Sequence, residues 1–507
     1  MILSQALNNA GLKNPGAPAI LDLGKTLSFS DMRKKVGQLS YLHQAEIGHG
    51  KRIAFLCQNT QAAIVSFFAF ANIGSQCIFF DPNESVDGVV EAMKELEITH
   101  VAVSADQIHK VNEISRVHGL NLQIVEIEKK KGGEYDPSYS PPPDHPLKET
   151  DQILIVRHQE MGAFTKYIFF THKQIYTAAT AVRKFYHFGA NEKVLTTLSF
   201  AHPFSLVHGL LTPLFAGACC AVNPQSPSNE EFLEYLATNH VNRFADVPKF
   251  YYFLLSICMT AKYKLPGVRS VTVGAGVLPK ALRKAFGLLQ IPVMQTHGRV
   301  EALWTLAMED AEVAKEGKTP QLEGLPGFKY KVLNDAGDEV AGPAFREGPL
   351  AVAGETIMAA FFHPDKGMAD KASKTTIRGT WFYTQEAARL EGEEAEIKVK
   401  PLGALPEVIK SGAKYFTPEP IDEAARELSD VAEAAAFVRV DEKGAPSFAI
   451  AVVRSGKTLS EGAVLQHVSS KIKGAGCPRS VHFVDEIPKD RYDNVNRGAL
   501  ARQFSVR

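Results

Sequence analysis

From Arg52 onward, short apolar runs alternate with longer amphipathic ones, and this alternation constrains the fold more than any other feature of the chain. Arg52–Cys57, Gln76–Phe80 and His100–Val103 read as buried strands, while Gln61–Ile73 and Val86–Glu97 carry helical spacing. Strands separated by helices do not close as tight hairpins, so the spacing predicts parallel βαβ units with helices on both faces of a sheet. After a further apolar run at Leu122–Ile127, residues 129–147 pass through Lys-Lys-Lys-Gly-Gly and Ser-Pro-Pro-Pro, the composition of a surface linker.

The alternation resumes at Gln152–Val156. A helix is predicted near Lys173–Tyr186 and strands near Val194–Leu198, Cys219–Asn223, Ser270–Gly274 and Pro292–Gln295, which makes a second doubly wound α/β subdomain. Beyond Gly324 the period changes to two, with strands around a turn in Tyr330–Val340 and again at Gly348–Val352. That pattern predicts a small β-barrel-like subdomain near 324–400. From about Leu405 a compact α+β piece follows, with strands Ala435–Val440, Phe448–Val453 and Ser480–Val484 and a helix Glu461–Ile472. The expected organisation is a large N-terminal domain over 1–404 and a small, mobile C-terminal domain over 405–507.

At 507 residues the chain is long enough for about three domains of roughly 150 residues. Its 56 basic and 56 acidic side chains cancel, so no global field draws it to nucleic acid or to an anionic membrane, and a charged ligand must be met by a local site. The six cysteines include no C-x-x-C pair and read as reduced thiols of a cytoplasmic protein, with Cys219 and Cys220 as small apolar strand residues. Met1–Lys13 lacks the basic lead of a secretory signal, so the protein is expected to begin near Met1. The most apolar window, Leu206–Val222, is broken by His208, Gly209, Pro213 and Gly217 and is too short to span a bilayer.

Generic motifs are absent. Gly274-Ala275-Gly276 follows a strand, but the third glycine of a dinucleotide fingerprint falls on Pro279. No P-loop, nucleophile elbow or zinc helix occurs. His202 and His208 do not share a helical face and read as packed side chains rather than metal ligands.

A set of segments spread in order over nearly the whole chain resembles the adenylate-forming superfamily of acyl-CoA synthetases, peptide-synthetase adenylation domains and luciferases. They are Ala19–Met32, Gly48–Asn59, Phe70–Pro82, Glu323–Val332, Glu347–Met358, Gly412–Pro418 with Ile421-Asp422, and Val481–Pro488. The resemblance implies an N-terminal AMP-binding domain and a mobile C-terminal domain. It also implies a reaction in which a carboxylate and ATP give an acyl-adenylate that a thiol then converts to a thioester. ATP or AMP, Mg²⁺ and CoA are the implied cofactors. The implied partners are an acyl group, acyl-CoA or acyl carrier protein, with a homodimer or partner protein left open.

Carried over residue by residue, the resemblance gives a mixed picture. The family's phosphate loop, T-S-G-T-T-G-x-P-K-G, falls on His158–Tyr167, where Lys166 alone is kept and Glu160 stands at a glycine position. A like charge about 4 Å from a phosphate near a surface costs roughly 4 kcal/mol. The C-terminal P-x-T-x-x-G-K-I-x-R segment appears between Pro488 and Arg497 with Asp490, Asp493 and Asn494 at the threonine, glycine and lysine positions. Loss of such a charge-stabilising donor corresponds to roughly 10²- to 10³-fold in rate. His297-Gly298-Arg299-Val300-Glu301 stands for Y-G-x-T-E and keeps Glu301, the carboxylate implied to approach Mg²⁺. Glu386 remains from the ribose-binding T-G-D segment, whereas Ala404 and Pro406 replace the ribose-binding arginine and the hinge carboxylate.

The acyl side resembles the family more closely. Phe200-Ala201-His202 matches the aromatic-histidine segment beside the carboxylate pocket. Gly274, Ala275 and Gly276 match the loop flanking adenine and the acyl tunnel, and Phe200, Phe204 and Trp304 are expected pocket walls. The expected catalytic residues are Lys166, His202 and Glu301. The expected function is an acyl-CoA synthetase-like protein with lost or weakened ATP-dependent adenylation that binds or transfers an acyl group. Two alternatives stand beside it: an active acyl-CoA ligase with a rewired loop, in which Lys166 and Arg299 supply the charge, and a regulatory or scaffolding protein that reuses the cleft.

Overall fold

The computed structural model describes residues 1–127, 146–158, 165–189, 191–223, 228–314, 321–342, 345–392, 396–442, 444–456, 459–490 and 492–504. The expected linker lies almost wholly outside these residues, as do Glu160, Met161, Gly162 and Ala163 of the expected phosphate loop. The chain forms two compact units, Met1–Phe328 with Gly354–Ile377, and Lys329–Ala353 with Arg378–Arg507.

In chain order the first unit carries β1 (Pro18–Asp22), β2 (Lys25–Ser28), β3 (Arg52–Leu56), β4 (Gln76–Phe79), β5 (His100–Val103), β6 (Gln123–Glu126), β7 (Gln152–His158), β8 (Lys166–Thr171), β9 (Lys193–Thr196), β10 (Cys219–Val222), β11 (Arg243–Asp246), β12 (Ser270–Val273) and β13 (Val293–His297). One sheet runs β6-β5-β3-β4-β7-β8 and ends on the short strand Phe361–Phe362. In it β7, β4, β3, β5 and β6 are parallel. The other runs β2-β1-β10-β9-β11-β12-β13, parallel from β1 to β13, and continues into two short antiparallel strands at Ala307–Met308 and Glu323–Gly324. Strands β5, β10, β11 and β12 are buried along their whole length, as helices on both faces of a parallel sheet require. Aromatic packing ties β3 and β4 to the helix Gln61–Ala71, with Phe55 stacked on Phe79 at 4.5 Å and Phe67 beside it at 5.4 Å.

The doubly wound reading therefore describes both sheets, and the differences lie at their margins. Lys166–Thr171 is a strand antiparallel to β7, where the periodicity gave none. Two helices precede β3, Leu3–Lys13 and Phe29–Ile47, and the second is capped by Ser28, whose side chain accepts from the Asp31 backbone N–H. The apolar window Leu206–Val222 is divided among a π-helix (Ser205–Leu211), a short helix (Thr212–Ala216) and β10. Among the described residues no helix is long and apolar enough to cross a membrane.

In the second unit, Arg346–Gly354, Trp381–Glu391 and Lys398–Ala404 pair antiparallel, the period-two region expected beyond Gly324. A three-stranded sheet of Val431–Val440, Pro446–Arg454 and Ser480–Phe483 packs with helices Glu419–Arg426 and Glu461–Lys471 around Ile421, Phe448, Ile450 and Val464.

Candidate functional site

The β7–β8 hairpin delivers two site residues from its facing ends, since His158 and Lys166 are partners in the strand register. Lys166 is buried with its ammonium 4.5 Å from the centre of the Phe361 ring, and the His158 ring lies 5.5 Å from the same phenylalanine. Tyr167, read as replacing the loop's last glycine, is a core strand residue. Its hydroxyl donates to Glu95 at 2.6 Å, and burial together with that carboxylate pushes the phenol well above its ordinary pKa.

The segment after β13 supplies Glu301. It turns sharply, with Trp304 N–H bonded to the Arg299 carbonyl at 2.9 Å and Leu306 N–H to the His297 carbonyl at 3.1 Å. Leu303 and Trp304 take φ of +51° and +59°, conformations that each cost on the order of 1 kcal/mol for a side-chain-bearing residue. Gly298 permits the turn, because a Cβ there would sit 2.4 Å from the Trp304 Cα. Glu301 is 2% exposed; its Oε1 lies 3.1 Å from His158 Nε2 and its Oε2 lies 3.5 Å from Arg299 Nε. Its own carbonyl accepts from Met358 N–H at 2.8 Å. Burial raises the carboxyl pKa, but Arg299 and the His158 hydrogen bond outweigh it and hold the group well below the usual carboxylate range.

A second cluster gathers around Trp304. His202, whose Nδ1 accepts from Phe204 N–H at 3.1 Å, meets the Trp304 indole edge-on at 4.8 Å. Phe204 covers Gly274, where a Cβ would come within 2.3 Å of the ring, and Ala275 beside it takes φ of +52°. Phe200 packs instead against Phe79 at 6.2 Å, and its N–H donates to Asn59 Oδ1. The residue that sequence reasoning set aside here is His208. Its Nδ1 meets the Tyr186 hydroxyl at 3.0 Å and its Nε2 meets the Trp304 carbonyl at 3.3 Å, so Nε2–H donates and Nδ1 accepts. Burial lowers its pKa to about 3 and keeps the ring neutral. No sequence signal marks it, since its partners come from the helix His172–Tyr186 and from the turn after β13.

The first unit thus brings together His158, Lys166, Arg299 and Glu301, and joins them through the Gly298–Trp304 turn to His202, Phe204 and Gly274. Among the described residues no group of three His, Cys, Asp or Glu side chains is placed to hold a metal. Glu386 belongs to the second unit, half-buried on its long strand, with its N–H donating to Thr384 Oγ1 at 3.2 Å and Gln385 at φ +60°. In that unit Asn494 closes a turn on Asp490, with N–H to Oδ1 at 2.9 Å and Nδ2 to Oδ2 at 3.1 Å. Arg497 is buried against Asp422 at 2.7 Å. The segment Gly403–Lys410 continues from Lys398–Ala404 through one 3₁₀ turn over Leu405–Glu407.

Two parallel doubly wound sheets in a large unit, with a smaller antiparallel and α+β unit, define the α/β class of the adenylate-forming acyl-CoA synthetases. The AMP-binding enzyme family matches residues 7–156 and 163–362, and the AMP-binding enzyme C-terminal domain matches 420–493. The chain belongs to the AMP-binding enzyme family. It is 23% identical to an indoleacetate–CoA ligase of Aromatoleum aromaticum, over 98% of this chain and 97% of that one. It is 22% identical to a feruloyl-CoA synthase of an Amycolatopsis species, over 97% and 96%. The crystallised O-succinylbenzoate CoA synthetase of Bacillus subtilis, in complex with ATP and magnesium ion, shares the fold with a TM-score of 0.79 at 16% identity, over 98% of each chain. The family match breaks between 156 and 163, the interval that contains His158.

Proposed function

We propose that this protein binds an aromatic acyl group, as a free acid or as its thioester on CoA or a carrier, and that its ATP-dependent adenylation is weak or lost. The observation that carries this reading is the Asn494 turn. The position where the family resemblance puts an adenylating lysine holds an uncharged side chain, tied back to Asp490 by two hydrogen bonds. A neutral amide turned toward a carboxylate does not neutralise charge developing between an acyl carboxylate and an α-phosphate. His202, Phe204, Trp304 and Gly274 are the proposed acyl-side residues and Lys166 and Arg299 the proposed nucleotide-side residues of the first unit; within the second unit Glu386 is the proposed ribose contact. The aromatic class follows from the relatives, which act on indoleacetate and form feruloyl-CoA.

The test is ATP–pyrophosphate exchange on a panel of aryl and arylalkyl acids, with isothermal titration of ATP beside it. Exchange at least a hundredfold below that of an active ligase of the family, together with saturable binding of at least one aryl acid or aryl-CoA, supports the reading. Exchange at ligase rates overturns it.

A second reading, an active acyl-CoA ligase, draws on Lys166, which sits buried at the first position of β8 with its charge over Phe361. It requires that Lys166→Ala abolish thioester formation, and undiminished product from that variant would remove its premise.

A further inference from the structure

The crystallised relative holds magnesium, and Glu301 is the carboxylate at which the family resemblance places that ion. Magnesium takes near-octahedral oxygen ligands and keeps several of its waters. The surroundings of Glu301 are of the opposite kind. Its carboxylate is buried, one oxygen meets the His158 Nε2 donor at 3.1 Å, and the other faces the Arg299 guanidinium at 3.5 Å. The His158 N–H takes one lone pair of Oε1 and competes there with a cation, whatever the charge on the imidazole. The permanent positive charge of Arg299 opposes a divalent ion at the same carboxylate. The residues present do not fit a magnesium ion at Glu301.

We infer that His158 and Arg299 serve as the built-in counter-ions of Glu301, and that His158 is the side chain that excludes a divalent cation from this carboxylate. His158 lies in the interval where the family match breaks, at the last position of β7, and the strand register fixes it opposite Lys166. Its ring is further held by Phe361, so the donor is aimed by the fold rather than by a mobile side chain.

This inference deepens the reading of weak adenylation, and its test is independent of whether any acid is activated. Manganese binding to the full chain is measured by electron paramagnetic resonance, with and without a non-hydrolysable ATP analogue. Wild type and Glu301→Gln are expected to bind manganese identically or not at all. His158→Asp, which sets an oxygen ligand beside Glu301, is expected to bind it at least tenfold more tightly than wild type, and His158→Asp with Glu301→Gln is expected to lose that gain. Saturable manganese binding in wild type that Glu301→Gln removes overturns the inference, and so does a folded His158→Asp with no gain. If His158→Asp does not fold, the comparison of wild type with Glu301→Gln decides alone. Tight binding of the analogue with no dependence of manganese on Glu301 counts against weak adenylation and leaves this inference standing.

Discussion

Gly274 shows how one missing side chain sets a wall of the acyl-side cluster. Its Cα faces the Phe204 ring so closely that a Cβ would fall 2.3 Å from it, and Phe204 lies against His208 at 4.8 Å on another side. The ring is fully buried. Gly274→Ala is therefore expected to destabilise the protein by about 1–3 kcal/mol through overpacking. Urea unfolding of the single variant and of Gly274→Ala with Phe204→Leu checks the cause, since the smaller side chain should recover part of the loss. Strictly additive effects would show that Phe204 is not what the glycine accommodates. The Gly-Ala-Gly sequence was legible as a loop after a strand, but its reason was not, because the ring that demands the glycine comes from a segment far away in the chain.

The π-helix Ser205–Leu211 carries the next level of the site. It places His208 between Tyr186 and the Trp304 carbonyl, and it brings Gly209 so close to β9 that a Cβ would meet Thr196 at 2.5 Å. Wide helical turns of this kind recur at functional sites. His208 has an ordinary pKa of 6.5 and a folded value of about 3, so the folded state binds fewer protons between those values. Its contribution to stability is then complete above about pH 6.5 and is lost as pH falls toward 3. His208→Gln keeps a donor and an acceptor but does not titrate. Its melting temperature is expected to fall less than that of wild type between pH 7 and pH 4, and parallel profiles would contradict the assignment. At this scale the sequence was legible where periodicity is strong, as in β3 to β5 with their helices. The β8 strand escaped because Lys166–Thr171 is a short run that pairs antiparallel with its neighbour, outside the βαβ rhythm. The helix Phe29–Ile47 escaped although Ser28 and Asp31 mark its start, because its apolar positions are sparse and its exposed face is long. In the sequence His158 is only the first residue of a loop; its pairing with Glu301 joins a strand end to a turn more than a hundred residues later, which local patterning does not encode.

For the molecule as a whole, the α/β class and the order of segments were legible, while the return of Gly354–Ile377 to the first unit, in the middle of a region that reads as antiparallel, was not. That return is made by Phe361–Phe362, too short for a periodic signal, and by the helix Lys366–Thr376, which buries only Ala369. The second unit is fastened differently, by a polar clamp. Asp422 on the helix Glu419–Arg426 accepts the Ala436 N–H, and Arg497 at the start of the last helix donates to Asp422 and to the Ala436 carbonyl. Burial pushes the Asp422 carboxyl up, while Arg497 first, and then the Ala436 N–H and the half-exposed Arg426 at 3.8 Å, draw it down. Arg497→Met would strip a buried carboxylate of its buried partner and leave it only the half-exposed Arg426 and the Ala436 N–H, a change that costs about 3–5 kcal/mol. The loss belongs to the sheet of Val431–Val440, Pro446–Arg454 and Ser480–Phe483 and to the helices Glu419–Arg426 and Arg497–Gln503, because the clamped residues Asp422, Ala436 and Arg497 lie there. Hydrogen exchange is therefore expected to accelerate in that sheet, with the amides of β3, β4 and β5 in the first unit keeping wild-type protection. Removing both members of the pair, as Arg497→Met with Asp422→Leu, should restore much of the protection, since two apolar groups replace an ion pair at lower cost than a lone charge. Acceleration spread equally over both units would show that the clamp stabilises more than the unit that contains it.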